Sequence, residues 1–368
     1  MAQDSLQVKI GGALRFNYNY STWKPSQKKR GGDFGYDIFR INAEASYKGV
    51  RFNAEYRFYS ESFGGGMLKQ GWFAYDLSDK VELQVGLTQV PFGITQYNSH
   101  NWFFSLNYYM GLEDDHDMGI KYSRRTENWL IDLAFFKNAE ELNFGDNSDI
   151  SFSRYSYDIS SIDVNGDGTF EHRNKEVNQL NAKVIRKINA GVNEHQIGIS
   201  AQYGGIYNLD LEENGRHYAI GAHYELNRKN WNLKAQVLRF SNSPERATGD
   251  RANVIGMAAY GAPYLVATQS INYTLGISYS LDVDWKLISN LLLYNDFGVM
   301  DKDETNFNNS FMNVTGVLVT AGRLFTYIDF AQGKNHPWLG PEWTNALAQG
   351  TDNANWEMRF NINFGYYF

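Results

Sequence analysis

The sequence has no cysteine among its 368 residues, so disulfides and thiolate metal sites are excluded. It also has no apolar run of the ~18 residues that a spanning helix needs, which excludes a helical membrane protein. Mean hydropathy is low, at -0.49. There is no surplus of basic residues. The formal net charge is -7, which argues against non-specific binding of nucleic acid, and no nucleic-acid partner is expected. There is no linker, solenoid-length repeat or low-complexity tract, so residues 1–368 read as one domain. No export signal is visible, and Met1-Ala-Gln-Asp4 reads as a processed or recombinant mature start.

What the chain does have is aromatic residues, 16% of the total. Aromatic richness with low mean hydropathy suits a membrane barrel, where apolar residues come at every second position. The last stretch carries the pattern most clearly. Trp356, Met358, Phe360, Ile362, Phe364, Tyr366 and Phe368 alternate with Glu357, Arg359, Asn361, Asn363, Gly365 and Tyr367. Successive side chains of a strand point to opposite faces, so one face is apolar and the other mostly polar. In a barrel the first face meets lipid and the second a watery lumen. The aromatic ending resembles the carboxy-terminal assembly signal of bacterial outer-membrane proteins.

Similar segments recur along the chain, at about residues 6–20, 37–47, 50–60, 68–76, 81–89, 117–123, 129–137, 177–188, 195–207, 216–226, 231–240, 269–281, 285–295, 310–320 and 323–331. Connections after even-numbered segments are short, such as Lys48-Gly49, and those after odd-numbered ones mostly long. The expected fold is therefore all-β: a transmembrane antiparallel barrel of about sixteen strands with short periplasmic turns and long external loops. Inward positions are polar, for example Asn42, Glu44, Ser46, Gln196, Ser200, Gln202, Asn272, Thr274 and Ser278. A lumen so lined is expected to hold water, and the barrel to be a diffusion channel in contact with outer-membrane lipid.

The third external loop, at about residues 91–116, is long and aromatic. Trp102, Phe103, Phe104, Tyr108 and Tyr109 are costly to leave in water, so the loop is expected to fold into the lumen as a constriction. The same rings would also serve as a sugar-stacking platform.

The stretch Val85-Gly-Leu-Thr-Gln-Val-Pro-Phe-Gly-Ile94 resembles the Gly-x-x-x-x-Pro-Phe-Gly segment of the phosphate-selective porin O/P family. Gly111-Leu-Glu-Asp-Asp-His-Asp-Met-Gly-Ile-Lys121, the chain length and the terminal Phe368 also look like that family. The resemblance implies a homotrimer of sixteen-stranded channels with an infolded third loop. It also implies passage of small polar or anionic solutes, phosphate among them. Tight phosphate binders of the family carry basic ladders in the lumen. Here inward Arg15, Arg40, Arg51, Arg57, Lys121, Lys183, Lys234 and Arg359 are mixed with Glu44, Glu55, Glu82, Asp132, Glu225 and Glu357.

A two-residue turn at Lys48-Gly49 would set Arg40 directly opposite Arg57. Arg15 and Arg359, on the adjoining first and last strands, are expected at a similar height. Together the four would form a basic tier of the wall. The acidic run Glu113, Asp114 and Asp115 would face it and set a transverse field. The competing expectation is that Glu44, Glu55 and Glu357 neutralise the arginines in ordinary cross-strand pairs.

Residues 163–174 begin as a calcium loop does. Asp163, Asn165 and Asp167 would supply side-chain oxygens, Thr169 a backbone carbonyl and Glu171 a direct or water-mediated contact. A metal-free Asp/Gly turn is the equal alternative, since Asn174 stands where an EF-hand has glutamate. Ca2+ is thus the one candidate ion, and no cofactor is required. Asp114-Asp115-His116-Asp117 reads as a solvated or pore-facing acidic patch. His217 and His223 point inward on one strand, but no nucleophile is recognisable beside them, so no enzyme activity is expected. The sequence thus reads as a porin of the bacterial outer membrane. A sugar-specific channel and a non-conducting scaffold for a surface or secretion complex are the alternatives.

Overall fold

The computed structural model describes residues 5–140, 153–163 and 169–368. In chain order the strands are β1 Gln7–Ser21, β2 Asp33–Tyr47, β3 Val50–Phe58, β4 Gly66–Ser78, β5 Val81–Gln89, β6 His116–Arg125 and β7 Trp129–Ala139. They continue with β8 Asp158–Ile159, β9 Asn174–Ala190, β10 Asn193–Asn208, β11 Glu213–Arg228, β12 Trp231–Ser243, β13 Val254–Ala259 and β14 Ala262–Ala267. The last are β15 Gln269–Trp285, β16 Ile288–Lys302, β17 Ser310–Ala321, β18 Leu324–Lys334 and β19 Glu357–Tyr367. Among the described residues sixteen of these, all but β8, β13 and β14, form one closed barrel.

The strands form because polar and apolar residues alternate, and the alternation is turned inside out relative to a soluble protein. In β9, Leu180 is 58% exposed and Val184 39%, while the alternate residues Gln179, Asn181 and Lys183 are buried. The exposed apolar face meets lipid, which costs nothing, and the polar face lines the interior. Every barrel neighbour is antiparallel, and β1 pairs with β19 from Ala13↔Tyr367 to Ser21↔Arg359. This closure leaves no strand edge in the membrane.

Turns at one end are tight. Lys48 and Gly49 both have positive φ, 49° and 84°, as the two-residue hairpin turn demands. Tyr47 therefore faces Val50, and Arg40 faces Arg57. At the other end, connections fold back into the barrel. The loop 90–115 enters first. Parts of the connections 140–173, 244–268 and 335–356 pack upon it.

The expectation of a lumen filled only with water needs correction here. Leu106, Tyr108, Tyr109, Tyr155, Tyr157, Ile255, Tyr264 and Leu347 form one buried apolar cluster inside the barrel at its loop end. The physical reason is that aromatics carried on these loops bury one another more cheaply than they stay wet. A small sheet, β14-β13-β8, lies within this filling. The stretch 254–267 looks like loop in the sequence because both faces are apolar and no alternation is visible. Its hairpin turn is Tyr260-Gly261, again with both φ positive.

A charge on the outer face should be costly where the same charge in the lumen is not. Leu180→Arg is expected to lower stability by roughly 2–4 kcal/mol if position 180 lies near the bilayer midplane. Gln179→Arg, one residue away but inward, should cost clearly less. Denaturant unfolding of barrels refolded into lipid vesicles measures the difference.

Candidate channel constriction

The loop 90–115 crosses the lumen and is anchored on the far wall. The Gly93 amide donates to Ser200 Oγ of β10 at 3.0 Å, and the Ile94 amide to Gln236 Oε1 of β12 at 3.1 Å. Asn98 Nδ2 donates to Thr274 Oγ1 of β15 at 2.7 Å. The tip is held by Asp296 of β16. Its carboxylate accepts from the His100 amide at 2.8 Å and from the Asn101 amide at 3.2 Å. It also accepts from Asn101 Nδ2 at 2.8 Å and contacts the His100 ring at 2.8 Å. The other ring nitrogen of His100 is 2.7 Å from Asn232 Oδ1. The sequence reading missed His100 and Asp296. The available signal was an inward carboxylate in the apolar run of β16.

Because the loop is fixed to β10–β16, open space remains on the side of β1, β2 and β19. A cavity of about 660 Å³ lies there. Its wall includes Arg15, Arg40, Arg57 and Arg359, and its loop side includes all five expected aromatics. Trp102 and Phe104 keep exposed surface, whereas Phe103, Tyr108 and Tyr109 are buried in packing.

The arginine tier is real in part. Arg40 and Arg57 stand opposite each other and share one carboxylate, Glu55, at 3.1 and 2.5 Å. Arg15 pairs with Asp37 at 2.9 Å, beside a bulge between Arg15 and Phe16. Such a bulge re-aims its side chains. Its guanidinium also lies 4.1 Å above the ring of Trp102, so wall and loop touch at this point. Arg359 has no ion pair among the described residues and lies 5.4 Å from the ring of Trp23. The expectation that Arg15 and Arg359 share a height is not met. Arg15 faces Gly365 and Arg359 faces Ser21, six residues along, which is roughly 20 Å. Of the neutralising glutamates, Glu55 serves as expected. Glu44 instead pairs with Lys9 at 3.6 Å, and Glu357 accepts from Thr22.

The acidic run does not face the arginines. Glu113 is turned into the loop, where its two oxygens accept the amides of Asn98 and Ser105, both at 2.9 Å. Burial pushes its carboxyl up to about 7. Asp114 binds Lys69 Nζ at 2.8 Å, Gln89 Nε2 at 3.0 Å and the hydroxyl of Tyr155 at 2.5 Å. Asp115 sits away from the passage, buried among other acids. Nor are Asp114 to Asp117 solvated, since all four residues are at most 5% exposed. The loop surface opposite the arginines is therefore aromatic, with Glu113 taken up by loop amides, Asp114 by Lys69, and Asp115 set apart in the acidic cluster.

Of the expected calcium loop, Asp163, Thr169 and Glu171 are described, and Asn165 and Asp167 lie outside the described residues. Its ends are tied by paired backbone hydrogen bonds between Ile162 and Glu171. His217 and His223 are buried on the inner face of β11.

A family model described as phosphate-selective porin O and P matches residues 8–203, more than half of the chain. The chain belongs to this family. It is a channel for small solutes in the bacterial outer membrane, and its family and fold are those of a porin rather than an enzyme. A comparison with curated proteins gives no match. Among solved structures, this porin is similar to an anion-selective porin from Comamonas acidovorans, with a TM-score of 0.63 at 12% identity over 99% of this chain and 100% of that one. It is also similar to the outer-membrane channel DcaP of Acinetobacter baumannii, with a TM-score of 0.61 at 11% identity over 100% and 99% of the two chains. A trimer form of the outer-membrane protein OmpT from Vibrio cholerae gives 0.57 at 12% identity over 99% and 100%. At these identities the likeness is one of fold.

Asp296→Ala removes the anchor of the loop tip. Its hydrogen bonds, at about 1 kcal/mol each, imply a loss of roughly 2–5 kcal/mol of local anchoring. The barrel should still fold, while single-channel recordings in planar bilayers should show larger open-state noise and higher mean conductance. Conductance and noise equal to those of the unmodified porin would mean the tip is held elsewhere.

Proposed function

We propose that this porin passes small anionic solutes, inorganic phosphate among them, along the passage between the arginine wall and the infolded loop. The observation that carries the reading is the imbalance of charge on that wall. Arg15, Arg40, Arg57 and Arg359 meet only two carboxylates as ion-pair partners among the described residues, Asp37 and Glu55. The surplus is positive and lines the open space beside the infolded loop. Low-dielectric aromatic surface opposite, from Trp102 and Phe104, strengthens such a field. The Comamonas acidovorans porin's description as anion-selective is in keeping with this reading. No catalytic role is assigned to the buried His217 and His223: Nε2 of His217 and both ring nitrogens of His223 have no hydrogen-bond partner among the described residues. The sugar-channel alternative is weaker. The ring of Trp102 already carries Arg15, and Phe104 is stacked on Tyr108 at 4.1 Å.

The working unit of this reading is a homotrimer. Phe16, Phe34 and Phe364 form an outward aromatic cluster on the β2-β1-β19 seam, with ring centroids 5.5 to 6.0 Å apart. Phe34 is 63% exposed. Such a cluster suits ring packing against a second copy.

Two measurements test these statements. Arg40→Ala with Arg57→Ala leaves Glu55 without its arginines, so the reversal potential in a salt gradient should move toward cations. The shift should be larger at low salt, where screening is weaker. An unchanged anion-to-cation permeability ratio at low salt would remove the tier as the selectivity element. Separately, Phe34→Arg should convert detergent-extracted trimers to monomers on size exclusion with light scattering. Trimers that persist would place the interface on another seam.

A further inference from the structure

Where the base of the constriction loop meets the connection after β7, there is a cluster that conduction does not require. Asp115, Asp117, Glu140 and Asp158 each offer one carboxylate oxygen to a common point, and these oxygens all lie within 4.8 Å of one another. The four residues are between 1% and 5% exposed. They arrive from separate parts of the chain: the loop root, the start of β6, the residue after β7, and β8.

Hydrogen bonding accounts for only part of them. One oxygen of Glu140 accepts the amides of Tyr155 and Ser156, at 2.9 and 2.7 Å. One oxygen of Asp117 accepts from Gln179 Nε2 at 3.2 Å. Asp115 Oδ1, Asp117 Oδ1, Glu140 Oε2 and both oxygens of Asp158 receive no hydrogen bond among the described residues. Asp115, Asp117 and Glu140 thus each turn one bare oxygen into the cluster, and the partner of Asp158 is a guanidinium. Arg154 Nη1 is 3.4 Å from Asp158 Oδ2. One guanidinium cannot offset four carboxylates, and buried carboxylates so crowded take up either protons or a cation.

We propose that these four carboxylates bind a hard divalent cation of calcium size. The donor set is all oxygen, as calcium prefers, and holds none of the nitrogen or sulfur that zinc sites favour. Two oxygens on one cation can be separated by at most twice the metal–oxygen distance, roughly 4.6–5.2 Å for calcium. Oxygens mutually within 4.8 Å meet that limit. Bidentate carboxylates and water complete the six to eight oxygens that calcium takes. None of these residues belongs to the stretch from Asp163 to Glu171, so this is a separate site. Its position gives it a task. The segment that supplies Asp158 also supplies Tyr155 and Tyr157, whose rings lie against Tyr108 at 6.2 and 5.6 Å. The cation therefore clamps the inner filling to the root of the constriction loop.

The test is calcium binding by the folded porin in detergent, after chelator treatment, followed by equilibrium dialysis with calcium alone and by terbium luminescence excited through tyrosine. The unmodified protein and Asp163→Ala should each bind, and Asp115→Asn with Asp158→Asn should bind at least tenfold more weakly. Heat-modifiable migration on gels reports that the variants are folded. If the double variant does not fold, Asp158→Asn alone carries the comparison, with the same weakening expected. Absence of binding to the unmodified protein would overturn the site. So would undiminished binding by the folded Asp115/Asp158 variants, or loss of all binding in Asp163→Ala. None of these readouts depends on which solute the channel passes.

Discussion

A backbone amide in lipid finds no water, so each one must be paired within the protein. In this chain the requirement is met by hydrogen bonds from strand to strand around a full circle, closed where β1 meets β19. The circle fixes much else. It divides each strand into a lipid face and a lumen face, and so explains why Leu180 and Val184 are exposed while Gln179 and Asn181 are buried. It also fixes the inner width. A ring of sixteen strands is too wide for wall side chains to fill, so whatever narrows it must come from the loops.

The loops meet that need with two kinds of contact. Polar anchors tie the constriction loop to the far wall, chief among them Asp296 with His100 and Asn101. Aromatic contacts then stack further loops upon it, through Tyr108, Tyr155, Tyr157 and Tyr264. Anchoring on β10–β16 leaves the passage to the opposite wall, where the arginines are. Glu113, Asp114 and Asp115 sit in the same loop, but their side chains are buried in it rather than turned to the arginines. Glu113 is held by the loop's own amides and Asp114 by Lys69 and Tyr155, while Asp115 lies in the buried acidic cluster. On the reading proposed above, selectivity rests on wall residues more than on loop residues, and the loop's part is to exclude water and high dielectric from the other side.

The wall was legible residue by residue. Alternation placed all sixteen barrel strands, because a period of two is stated locally by each strand. The turn Lys48-Gly49 fixed a register that set Arg40 against Arg57, because a two-residue hairpin leaves no freedom of pairing. The aromatic run from Trp102 to Tyr109 pointed to an infolded loop, because rings of that density do not stay solvated. The hairpin of β13 and β14 was not legible. It is buried on both faces, so periodicity is absent and only Tyr260-Gly261 marks it.

What the sequence by itself determined is therefore the barrel: a count of about sixteen strands, the inward and outward faces, and the end that bears the long loops. Those properties are set by neighbours in the chain, through strand alternation and turn chemistry. What only the tertiary structure decided is the content of the lumen. Whether Asp114 meets an arginine or Lys69, whether Arg359 stands level with Arg15, and that Asp115 converges with Glu140 and Asp158 all depend on residues distant in sequence. Charges and rings on a loop have several partners within reach, and the choice among them is made by packing inside a closed ring, which no local pattern encodes.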